Sequence, residues 1–307
     1  EGDKHSAVCN NCGVRITSEH SYSSSGKCAC SAQAAASVGN SFYTDIEQAW
    51  AAAKTAGTAT IIMFDDASLI SNLFVSQNEN TNITLDLNGH TVTGTSGNIV
   101  FNINSGNTFI LKDSAGGGKI TGGNNGVYVG VNATFTMEGG EISGNGNNDT
   151  YSGGGVSNDG TFTMNGGMIS GNTAEQGGGV SNGGTFTMNG GTIKGNAAVN
   201  SGGGVCVKDG GKFNVSGIVQ IFENTVDNKA NNVQFLSIQT ITVVGNLDSN
   251  ATIGVYMESA GNAATGYSQS EDPTDYFVSD NDKLNCIYND NGTVKFAEHD
   301  FANGTYQ

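Results

Sequence analysis

The segment GGGVSNDGTFTMNGGMISGN at positions 153–172 returns almost unchanged as GGGVSNGGTFTMNGGTIKGN at 177–196. A chain that repeats at a fixed interval buries its core by stacking unit on unit, so this self-similarity constrains the fold more than any local propensity does. The apolar position of the TFTM-like strings marks the period: Leu85, Phe109, Phe135, Phe162, Phe186, Phe213 and Ile241, in steps of 24 to 28 residues. A second ladder runs through Val92, Ile120, Ile142, Ile169 and Ile193. A third runs through Val100, Val127, Val156, Val180, Val205 and Val233. Around each position apolar residues alternate with period two, the spacing of strands rather than helices. Three short strands per unit predict an all-β chain, a right-handed parallel β-helix of about seven coils. The phenylalanines then stack inside beside Met137, Met164 and Met188, and the threonines flanking them point outward.

In this reading the glycines and asparagines are architecture. The NGG and GGG strings supply the corners, where the backbone turns with positive φ and coils approach closely. Asn145, Asn172, Asn196 and Asn224 recur at one corner and are expected to bond from rung to rung. A phosphate-binding loop would need G-x-x-x-x-G-K-[ST], and the string GGGKIT at 116–121 lacks the hydroxyl after its lysine. A calcium-binding β-roll would need a nine-residue period, which is absent.

A stack of coils exposes apolar cross-sections at its ends and needs caps. The segment YTDIEQAWAAAKTAG predicts the first, a helix within residues 39–57, with Thr44 and Glu47 as a capping box, Gly57 as its end, and Ile46, Trp50 and Ala53 on the face over the first coil. The expected division is a Cys-rich appendage at 1–38, the capping helix at 39–57, the repeats at 58–250, and irregular strands at 251–307 that close the last coil. In the appendage, Cys9, Cys12, Cys28 and Cys30 form two hooks with the spacing of a structural zinc site; two disulfides between the hooks are the alternative. Cys206 is expected to face outward, and pairing with Cys286 is open.

The formal net charge of −16, with Arg15 the only arginine, argues against nucleic acid, whose phosphates are bound by Lys and Arg. No apolar run reaches the roughly 18 residues needed to cross a bilayer, so no direct membrane insertion is expected. The start carries no signal peptide, which is expected of a mature or excised piece.

Catalysis on a β-helix would need clustered carboxylates on neighbouring rungs. Glu138 and Glu141 share one rung, but Asn165 and Met168, then Asn189 and Thr192, stand at the matching positions above. Asp65, Asp66, Asp86 and Asp113 on earlier coils are surface charges or a calcium site, and His90 is a turn residue. Lys112, Lys119, Lys194, Lys208 and Lys212 stand in no obvious cluster of carboxylates. The paired columns Thr134/Thr136, Thr161/Thr163 and Thr185/Thr187 are similar to the ice-binding faces of some β-helical antifreeze proteins, but last only three rungs.

The order of features carries a resemblance. A Cys/His head, the YTDIEQAW helix, TLDLNGHTVTG and the TFTMNGG repeats are similar to large surface proteins of gut Firmicutes built from pectate-lyase-like β-helix repeats. The resemblance implies an extracellular or cell-wall module joined to other modules of a longer surface protein, and implies no reaction. The expected function is a non-catalytic, adhesin-like module whose face binds a host or plant glycan or a surface protein. The loop 144–155 is the first candidate for contacts. The alternatives are a carbohydrate-active enzyme (polysaccharide lyase or glycoside hydrolase), a structural stalk, and an ice-binding face.

Overall fold

The computed structural model describes residues 4–8, 15–19, 34–146, 152–268, 270–289, 292–300 and 305–306. Cys9, Cys12, Cys28 and Cys30 lie outside these residues, as does the middle of the loop 144–155. The chain is a parallel β-solenoid of about eight turns with one short helix near its N-terminus. The stack starts at the strand Thr58–Met63, where the repeats are expected to begin, which pairs in parallel with Asn82–Asp86 and places Ile61 beside Leu85. Parallel stacking also continues beyond residue 250: Thr252–Val255 pairs with Lys212–Phe222 on one side and with Phe277–Ser279 on the other.

Three rows of strands build each turn. In the first row Phe109, Phe135, Phe162, Phe186 and Phe213 are aligned by parallel register and buried. Their rings stack at centroid distances of 5.5, 4.9, 4.6 and 4.9 Å, the offset spacing that aromatic quadrupoles favour. Met137, Met164 and Met188 form the adjacent buried column. Two rungs of the ladders read from the sequence are misplaced. Ile83, not Leu85, lies beside Phe109, because Leu85 continues the methionine column through Leu111. Phe101, not Val100, lies beside Val127 in the third row. Both neighbours are apolar in each case, so alternation alone leaves the register open by one or two residues. Phe101 joins the stack, 5.1 Å from Phe109.

The helix Ile46–Ala56 caps this stack. It begins one residue later than expected: Asp45, not Thr44, is the N-cap, its Oδ1 accepting Gln48 N–H at 2.8 Å. A carboxylate there also meets the positive end of the helix dipole, and Glu47 falls inside the first turn. Gly57 ends the helix at φ +74°, donating to Ala53 and Lys54 carbonyls. Ile46, Ala49, Trp50 and Ala53 are buried. Trp50 lies 5.4 Å from Phe101 and 5.7 Å from Phe109, and its Nε1 donates to Phe74 O at 3.1 Å. A hairpin of Ala36–Val38 and Ser41–Tyr43 completes this end, its first strand pairing antiparallel with Thr58–Met63.

The corner asparagines form a continuous ladder. In each step from Asn145 through Asn172 and Asn196 to Asn224, the next Oδ1 accepts both the backbone N–H and the Nδ2 of the residue below, at 2.9–3.1 Å. Each Nδ2 also caps a carbonyl of the second row, at Ile120, Ile142, Ile169 and Ile193. The ladder runs two rungs past its sequence signal, through Asn232 to the carboxylate of Asp280. A carboxylate suits that end, because it accepts both donors and has no N–H of its own left to place.

The GGG corners are explained by what covers them. Gly177 has φ +65°, and a Cβ there would meet the backbone at Val180 and Ser181; one on Gly178 would meet Ala197 O. These corners fold over the outer side of the third row. That is why Cys206 is fully buried rather than outward: the chain at Ser201 and Gly202 covers it, Ser201 Oγ standing 3.5 Å from Sγ. Cys206 and Cys286 are both free thiols.

Candidate functional site

The acidic groups of the early coils have structural partners. Asp86 Oδ1 accepts from Asn88 and Ser114 N–H, and Asp113 accepts from Gly89 and Gly118 N–H at 2.7 and 2.8 Å. Asp66 accepts from Thr91 N–H and stands 3.5 Å from His90 Nδ1, while Asp65 accepts from Asp66 N–H. His90 sits in the turn, donating its N–H to Leu87 O. The LDLNGH string is thus a hydrogen-bonded corner. Among the described residues no group of three or more His, Cys, Asp or Glu gathers as a metal site.

Glu138 and Glu141 are on one rung, as expected, and Met168 and Thr192 continue the Glu141 column. Two lysines each pair with a single carboxylate: Lys112 Nζ is 2.9 Å from Glu138, and Lys119 Nζ is 3.0 Å from Glu141. Parallel register sets Lys119 directly beside Glu141. Burial pushes Glu141 up, but bonds from Ser170, Lys119 and Ser143 outweigh it and hold the carboxyl below its usual range. A carboxylate held ionised in this way is a poor general acid.

The outer face of the first row carries hydroxyls over more rungs than the repeats suggest. One column runs Thr108, Thr134, Thr161, Thr185 and then Lys212. The other runs Thr60, Thr84, Ile110, Thr136, Thr163, Thr187, Asn214 and Thr242. At its margin Asn189 donates to Asn165 and accepts from Ser216 Oγ, both at 2.9 Å. On the third row Tyr128 OH donates to Asp159 at 3.3 Å, and the loop 144–155 returns beside it where Asn125 Nδ2 donates to Ser152 O. Burial, then the Asp159 charge, push the Tyr128 hydroxyl up, away from the ionisation a base would need.

One feature had no signal in the repeats. Between residues 234–240 and 256–262 lies an open cleft of about 720 Å³. Phe235, Leu236, Tyr256 and Met257 give it apolar walls, and Glu258 is the charged residue lining it. Ser237 Oγ and Gln239 Oε1, both shielded from solvent, have no hydrogen-bond partner. Buried polar atoms are nearly always paired, so these two are groups with bonds still to make. A shallower cleft of about 400 Å³ lies between the capping helix and Ser71–Phe74; Lys54 there is already engaged, with Glu79 and the Phe74 ring.

No protein-family model, curated protein or solved structure matches this chain.

Proposed function

We propose that the chain is a non-catalytic, adhesin-like surface module that binds a glycan or protein along a rigid rod. The observation that carries this is the contrast between the closed coils and the open cleft at residues 234–240 and 256–262. Asp66, Asp86 and Asp113 on the coils accept bonds from backbone amides and Glu138 and Glu141 pair with lysines, whereas the cleft combines aromatic and apolar walls with open polar groups, the composition of a binding site. The hydroxyl-rich first row adds a long polar face suited to multivalent contacts. The resemblance to β-helix repeat proteins of gut Firmicutes supports an extracellular or cell-wall location. It also supports a place among other modules of a longer protein. The four N-terminal cysteines then staple the appendage by zinc or disulfides, and any calcium on the coils is an accessory. Among the described residues no helix is long and apolar enough to cross a membrane.

The test is incubation of the purified chain with immobilised plant polysaccharides, mucins and matrix proteins, reading retained protein and newly formed chain ends in each well. Saturable retention without new ends is the expected result. New reducing or unsaturated ends establish a carbohydrate-active enzyme instead, and silence in both channels leaves a stalk.

A further inference from the structure

We propose that the cleft between residues 234–240 and 256–262 docks an extended peptide, which adds as a strand to the open edge of the third-row sheet. The inference rests on the binding-module reading and names the partner class. The third row forms a seven-stranded parallel sheet whose outermost strands are Leu73–Val75 and Val233–Phe235. The first edge is covered by the capping helix, with Trp50 Nε1 donating to Phe74 O. In the four-stranded corner sheet, Thr225–Val226 pairs antiparallel with Lys229–Ala230, a short exposed strand at that sheet's end. Gly261–Thr265 pairs with the C-terminal hairpin. The edge at Val233–Phe235 receives one backbone bond, from Tyr256 N to Val233 O at 2.8 Å. The chain then leaves the edge, and no described strand pairs with it on that side.

The cleft is the space left by that departure. A bare strand edge presents donors and acceptors at strand spacing, which another backbone matches along its length. The side chains agree with this occupant. Leu236 and Ile238 are exposed beside Met257, giving apolar contacts for alternate side chains of an added strand. Glu258 is charged, and none of the described lining residues is Lys, Arg or His. With a net charge of −16 on the whole chain, the peptide is expected to lack acidic residues and to carry basic ones.

The experiment measures fluorescence anisotropy of labelled octapeptides with an alternating Val/Thr centre and Lys at both ends, titrated with the full chain. Saturable binding is expected, weakened at least tenfold when alternate peptide nitrogens are methylated and at least fivefold by the uncharged polar change Ile238→Ser. Ile238 is fully exposed, so that variant retains the fold, which circular dichroism checks. Absence of binding, equal binding of the methylated peptides, or complete displacement by neutral oligosaccharides overturns the proposal. Failure here with retention in the glycan and matrix panel leaves the module reading standing. Peptide binding without panel retention removes those panel partners and supports this site.

Discussion

At the scale of single residues, the polar ladder inside the corner is the most demanding feature. Asn172 accepts from Asn145 twice and donates to Ile142 O and Asn196 Oδ1. Replacing it by Ala leaves several buried groups unpaired, each costing about 1–3 kcal/mol. Asn172→Ala is therefore expected to lower the urea-unfolding free energy by at least about 2 kcal/mol, the low end of two such losses; a change under about 0.5 kcal/mol, the size of an ordinary surface substitution, would remove the ladder from the account. The ladder's end behaves differently with pH. Burial pushes Asp280 up, only partly offset by two bonds from Asn232. A raised folded-state value means that the native state holds the proton more firmly than the unfolded chain. Its contribution is fully present below the ordinary carboxylate range and is lost as pH rises through the raised value. The stability of wild type relative to Asp280→Asn should thus fall as pH rises across that window, read as unfolding midpoints at several pH values. Glu141, held low by its partners, acts in the opposite sense: its contribution is lost as pH falls through its folded-state value. The thiols offer another residue-scale test. Burial pushes Cys286 up to about 12, with Asp272 adding to it, and Cys206 is raised by burial under Ser201 and Gly202. At pH 8 the Cys286 thiolate fraction is about one in ten thousand. Both should resist iodoacetamide in the native chain and react in denaturant, as located by peptide mass spectrometry.

At the scale of elements, the aromatic stack and the cap carry the core. Phe162 packs between Phe135 and Phe186, and Phe162→Ala should cost about 3–5 kcal/mol. Calorimetry should show a correspondingly lower melting temperature, and a loss below about 1 kcal/mol would contradict the stack's role. Much of this level was legible in the sequence. From Phe135 onward the spacing fixes the first row, because TFTM recurs with polar residues on both sides of each phenylalanine. It fails at Leu85 and Val100, where apolar residues lie on both candidate phases and only pairing with the next coil decides. The helix was placed correctly but its cap was one residue off, since Thr44 and Asp45 are both good N-caps. Cys206 is expected outward and is buried, because the GGG corner that covers it is a contact between coils that no local pattern records. Asn232 follows Asn224 by 8 residues rather than by the repeat, and Asp280, two repeats on, carries a carboxylate where the other rungs carry asparagine, which hid them. The cleft was invisible for a related reason: it exists where the repeat lapses, and the repeat was the signal.

At the scale of the whole molecule, register turns a short vocabulary into a rod with extended chemical stripes. The stripes follow because parallel stacking places like residues beside like, giving columns of phenylalanine within, asparagine at the corner and threonine outside. The N-terminal metal expectation belongs to this scale too, since an appendage too short for a core needs a staple. Elemental analysis should find about one zinc per chain with four chelator-released thiols at Cys9, Cys12, Cys28 and Cys30, the stoichiometry of one tetrahedral site; no zinc and a mass lower by about four hydrogens, two per bond, would instead assign two disulfides. The central claim is that this rod binds without reacting. The most direct measurement is the mass spectrum of a retained glycan recovered after prolonged contact with the chain. The account predicts an oligosaccharide recovered unchanged, with no new reducing or unsaturated ends. Cleavage products that grow with time and enzyme concentration would contradict it.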